Sequence, residues 1–122
     1  MNQLTPDDVT RFGELLRGWQ AKLGLQDWRI VLSPIPAKKS MAEMDKWDWP
    51  QRQVTCRVGL DWKSTPVTEG TLEQTAVHEL FHVLLYQLIE AARNPQTSDE
   101  DLRSIEHSII NKMERLLVPH GE

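Results

Sequence analysis

The stretch TLEQTAVHELFHVLLYQLIEAA, residues 71–92, decides how the rest of the chain is read. Its centre, His78-Glu79-Leu80-Phe81-His82, has the form HExxH. Two histidines four residues apart project from one helical face about a turn from each other, so both imidazoles reach a single tetrahedral metal ion. Glu79 lies about 100° round the helix from the first histidine, near enough to hold a water against that metal. The helix is well supported: Thr71 and Gln74 have capping-box spacing, and Leu72 to Ala92 contains no Gly or Pro. Apolar residues, among them Leu72, Ala76, Leu80, Phe81, Val83, Leu84, Leu85, Leu88 and Ile89, fall on nearly every side, which predicts a helix buried in its domain. His, Glu and His are costly there unless something binds them. The plainer alternatives are a hydrogen-bonded core histidine and a chance match to a short pattern; the buried-helix setting favours metal.

At 122 residues the chain, 1–122, is expected to be one domain, large enough for a core. Its net charge is −4, and the 14 Lys and Arg are scattered, which argues against a nucleic-acid partner. The single cysteine, Cys56, permits no internal disulfide, fits a reducing compartment, and with no CxxC excludes a finger or ribbon zinc site. The start, MNQLTPDDV, has neither a basic nor an apolar leader region, and no apolar run approaches the length of a membrane span. These features predict a soluble, cytoplasmic protein with no membrane partner.

Thr5-Pro6-Asp7-Asp8 has a capping hydroxyl, proline at the first helical position and acids in the first turn. Val9, Phe12, Leu16, Trp19 and Leu23 then recur at helical spacing until Gly24. Gly13 and Gly18 weaken this helix, so packing must hold it. Asp27 to Leu32 alternates as a half-buried strand and ends at Pro34 and Pro36. Residues 37–52 show no clean period; a second strand is expected near 40–47, followed by a turn at Asp48-Trp49-Pro50-Gln51. Gln53 to Leu60 alternates clearly and is the third strand, with Cys56 on its apolar face as a small core residue rather than a nucleophile. Asp61 to Gly70 is a loop, and a last helix capped by Ser98 runs to about Val118, stopped by Pro119.

A catalytic zinc wants three protein ligands and one open position. With Leu102 at 0° and about 100° per residue, the apolar residues of the last helix span roughly −60° to +80°. Glu106 falls at about 40°, inside that arc, and His107 at about 140°, outside it. Glu106 is therefore expected to face the core and serve as third ligand; a carboxylate there needs a cation, the alternative being an Arg or Lys. His120, beyond a proline near the end of the sequence, is a poor candidate.

HELFH on a buried helix, followed 24 residues after His82 by Glu106 in IEHSIINKME, resembles the zincin metallopeptidases whose third ligand is a glutamate. The layout of helix, three strands, motif helix and ligand helix is similar to minimal metallopeptidase-like proteins encoded by phages and prophages. The resemblance implies zinc held by His78, His82 and Glu106, with Glu79 as catalytic base for hydrolysis of a protein or peptide substrate. Residues 83–87, VLLYQ, lack the HExxHxxGxxH continuation of the metzincin branch.

The expected architecture is thus α+β: a small, mostly antiparallel three-stranded sheet with an N-terminal helix, a buried HExxH helix and a C-terminal ligand helix. The strand Gln53 to Leu60, if it is the one beside the cleft, is placed to hold an extended substrate by strand addition. Tyr86, one turn past His82, is expected to pack, with contact to the reacting oxyanion as the other possibility. The rival to an enzyme is a zincin scaffold used only for binding, with zinc structural or absent. Glu79 separates the two, because a purely structural site has no use for an acid there.

Overall fold

The computed structural model describes residues 2–118 and shows an α+β fold. Helix α1, Pro6–Lys22, begins at Thr5, whose hydroxyl accepts from the Asp8 N–H (3.2 Å) while the Asp8 carboxylate accepts from the Thr5 N–H (2.9 Å). It buries Phe12, Leu15, Leu16 and Gln20. The buried Gln20 amide donates to the carbonyls of Leu25 (3.0 Å) and Trp28 (2.8 Å), satisfying the turn that feeds the sheet. Gly13 has its own reason to be there, because a Cβ at that position would sit 2.9 Å from Leu32 Cδ1. The helix approaches the sheet closely at the residue with no side chain.

The strands are β1, Arg29–Leu32, β2, Ala42–Asp48, and β3, Gln53–Val58. Their order is β1-β3-β2, with β3 parallel to β1 and antiparallel to β2, so the three-stranded sheet is mixed rather than mostly antiparallel. After β1 the chain turns back to make β2, and the hairpin returns β3 into the gap between them. Asp48 anchors that hairpin by accepting from the Gln51 N–H (3.2 Å), in the turn expected there. Val54, Cys56 and Val58 are buried along β3, in the alternation read from sequence.

Residues 37–52 lacked a period because β2 contains a bulge between Asp45 and Asp48, with Lys46 at φ 54°. One extra residue flips the alternation: Ala42 and Met44 pack inward before the bulge, Trp47 and Trp49 after it. The start of β2 is fixed at Gly59, which donates to the Met41 carbonyl (2.7 Å) and leaves no room for a Cβ, the Ser40 oxygen being 2.2 Å from where one would lie.

Helix α2, Glu69–Arg93, starts earlier than expected. Thr68 is its cap and Thr71, read from sequence as the cap, is the reciprocal partner three residues on: each Thr accepts from the other's N–H (3.1 and 2.9 Å). Thr supplies the same hydroxyl chemistry at either position, which is why the register slipped by three. Arg11 joins α1 to α2 through a bidentate pair with Glu69, and the Trp19 indole donates to Glu73 (2.7 Å). Helix α3, Asp99–Leu117, is capped by Ser98 as expected and packs on α2.

The expectation that α2 is buried all round is corrected. Leu72, Thr75, Ala76, Glu79, Leu80, Val83 and Leu84 are buried, whereas Phe81, Leu85 and Ile89 are exposed. The small sheet and two neighbouring helices cover only one side of α2, and the apolar residues of its other side look outward.

Candidate metal centre

The side chains of His78, Glu79 and His82 form a group that can hold a metal ion: each offers a ligand atom, and these atoms all lie within 4.8 Å of one another. The two imidazole rings stand 5.1 Å apart at 77°. This convergence follows from helical geometry, since residues four apart share a face one turn apart. Both histidines are exposed, on the outward side of α2, and Glu79 is only 6 % exposed, on the flank turned toward β2. The donor set suits a divalent cation of intermediate softness, for which imidazole and carboxylate are both ordinary ligands. Among the described residues this is the only group of three or more such side chains with that spacing.

Burial raises the Glu79 pKa above the ordinary carboxylate range; His82 and then His78 pull against that shift, and Glu43 adds a smaller push upward. A carboxylate partly removed from water holds a proton more readily than a surface glutamate. A shift in this direction makes the carboxylate a stronger proton acceptor, which is the direction general-base work requires.

A cleft of about 400 Å³ opens beside the group, lined by Met41 and Ala42 of the β2 end, Thr65 of the preceding loop, and Gln74, Thr75, His78 and Glu79 of α2. Thr75, one turn before Glu79, is held by its own hydroxyl donating to the Thr71 carbonyl (2.7 Å). Counting back four residues from His78 and Glu79 identifies Gln74 and Thr75 from sequence alone; no local signal identifies Met41 and Ala42, which reach the cleft through the fold.

Two expectations about this site are corrected. β3 does not flank the cleft with a free edge, because it is the central strand and pairs on both sides; β2 is the strand with an open edge there. Glu106 does not face the core, nor is it brought to the two histidines. It is exposed, while Ile109 is buried and Leu102, Ile105, Lys112 and Leu116 are half-buried. The covered arc of α3 is thus centred near −40° on the scale set at Leu102, and Glu106 stands about 80° away. Level matters as well: His82 lies 11 residues before the end of α2 and Glu106 seven after the start of α3. In a helical hairpin with a short connection, that leaves Glu106 four residues, roughly 6 Å, short of His82. His107 is exposed too, and His120 lies outside the described residues.

Tyr86 is occupied elsewhere. Its ring stacks on Trp47 and meets Trp28 edge-on (5.8 Å), the packing role expected of it. Cys56 is fully buried in the core, and burial, with Glu79 and then Asp45 adding, pushes its thiol up to about 12. A thiol so placed is a core group and no nucleophile. No helix among the described residues is long and apolar enough to cross a membrane. Compared with protein-family models, curated proteins and solved structures, the chain matches none.

Proposed function

We propose that the protein is a zinc-dependent peptide hydrolase in which His78 and His82 hold the metal and Glu79 is the general base. The observation that carries this reading is the position of Glu79: it belongs to the metal-binding group, is buried, and lies at the wall of the cleft. Zinc, when bound, supplies the Lewis acid that polarises a carbonyl and acidifies water. Glu79 takes the proton from the attacking water and delivers it to the leaving amine, keeping both transfers at one carboxylate. The open edge of β2, at Ala42, whose backbone groups alternate to the side away from β3, offers hydrogen bonds to an extended peptide, in the way that sheet edges accept an added strand. His78 and His82 are reachable from outside, as a large substrate requires.

A second reading keeps the metal without the chemistry: a binding module of the same shape. The exposed apolar residues of α2 and α3 favour it, since such surfaces mark interaction sites. Glu79→Gln separates the readings. In a mixed-proteome digest read by mass spectrometry, zinc-loaded wild-type protein yields cleavage products, and Glu79→Gln, still folded and zinc-bound, yields them about 10²- to 10⁴-fold more slowly. Equal products at equal rates from both proteins would remove Glu79 from the chemistry.

A further inference from the structure

Two exposed stripes share an unusual composition. On α2, His78 and His82 are interleaved with Phe81, Leu85 and Ile89, which are 40, 42 and 46 % exposed. On α3, Glu106 sits at about 40° among Met113 at about 20°, Leu117 at about 60° and Ile110 at about 80°; these three are 42, 75 and 49 % exposed. Each stripe is an apolar surface with metal-binding chemistry toward its N-terminal end. The opposite flank of α3 is already engaged, since Lys112 lies against the turn at Gly24, 3.8 Å from where a Cβ there would stand.

We propose that a second copy of this chain covers these stripes, the α3 flank of one copy lying on the α2 stripe of the other, so that Glu106 reaches His78 and His82 across the interface. The inference rests on the metal reading above. A catalytic zinc takes three protein ligands, and among the described residues one chain brings together two histidines plus Glu79, the base. Glu106 is turned away and falls short along the helix within its own chain, but neither restriction applies between chains. Covering a carboxylate with apolar surface is costly unless it meets a cation, and the histidine-bound metal is that cation. The exposure of the six apolar residues amounts to about three large side chains, roughly 600 Å² at some 200 Å² each. With a polar rim this approaches the ~800 Å² per partner of a stable interface. A two-fold axis uses each stripe once per copy and closes the assembly with two identical sites.

The test mixes variants and reads metal and mass, not activity. Wild-type protein with zinc sediments as a dimer holding one zinc per chain, and a chelator weakens the dimer. Glu106→Ala and His82→Ala each bind zinc at least about tenfold more weakly than wild type. Mixed together, they regain one tight site per mixed dimer, because one variant brings its histidines and the other its glutamate. Leu117→Glu, which touches no ligand, gives a monomer whose zinc affinity drops by a similar factor. Glu106→Gln repeats the test should the alanine variant fail to fold. Tight, stoichiometric zinc in a wild-type monomer overturns the shared site and leaves the metal reading standing, as does a mixture that regains nothing. Wild-type protein that binds no zinc overturns both.

Discussion

The rings of Trp47 on β2 and Tyr86 on α2 lie face to face, centroids 4.0 Å apart and planes within 4°. Trp28 meets both edge-on, at 5.7 and 5.8 Å. This aromatic joint ties the strand at the cleft to the helix that carries the histidines. Only the bulge at Lys46 brings Trp47 to the correct side of β2.

The joint predicts that Trp47→Ala costs about 2–3 kcal/mol in denaturant unfolding, through lost aromatic packing. Tyr86→Phe keeps the stacked ring and should cost under about 1 kcal/mol while leaving hydrolysis within about threefold. A loss of 100-fold or more in Tyr86→Phe, with stability unchanged, would instead make its hydroxyl a contact of the reacting oxyanion.

Glu79 gives a prediction in metal-free protein. Its folded-state pKa is raised by burial above the unfolded value, so its contribution to stability is fully present below the unfolded pKa and is lost as pH rises through the folded one. At pH 7 the buried charge is a cost that Glu79→Gln removes. Without metal, that variant should melt a few degrees above wild type, on the order of 3 °C, and the difference should vanish near pH 4. An unchanged or lower melting temperature at pH 7 would show that the carboxylate is well compensated in the apo protein.

Cys56 has the same sign at higher pH. Its thiol is raised from an ordinary value of 9.0 to about 12, so the folded protein holds that proton more tightly than the unfolded chain. Stability from this group is intact below pH 9 and falls as pH rises between about 9 and 12. Cys56→Ala should flatten the fall in that window, and native protein at pH 8 should resist alkylation by iodoacetamide. Rapid alkylation without unfolding would place the thiol at the surface.

Much of this was legible in the residues, for identifiable reasons. α1 and α3 carry unambiguous caps at Thr5 and Ser98, and β3 alternates without interruption. β2 was obscured because its bulge reverses the inward face between Met44 and Trp47. The His78-Glu79-His82 group is local to one helix, so sequence spacing sufficed to find it. Glu106 required more: a 140°-wide apolar arc gives the side of α3 that can be buried, not the part that α2 covers in a single chain. The open edge of β2 depended on strand order, which no local pattern encodes.

The central claim is that His78 and His82 bind a metal while Glu79 does not hold it. Elemental analysis of protein purified without a His tag in the presence of zinc tests it most directly, alongside His78→Ala, His82→Ala and Glu79→Gln. About one zinc per chain is predicted for wild type and Glu79→Gln, with little in either histidine variant, and zinc should raise the melting temperature only of the two that bind it. Wild-type protein without zinc and without a thermal response to it, or histidine variants that retain the metal, would contradict the account.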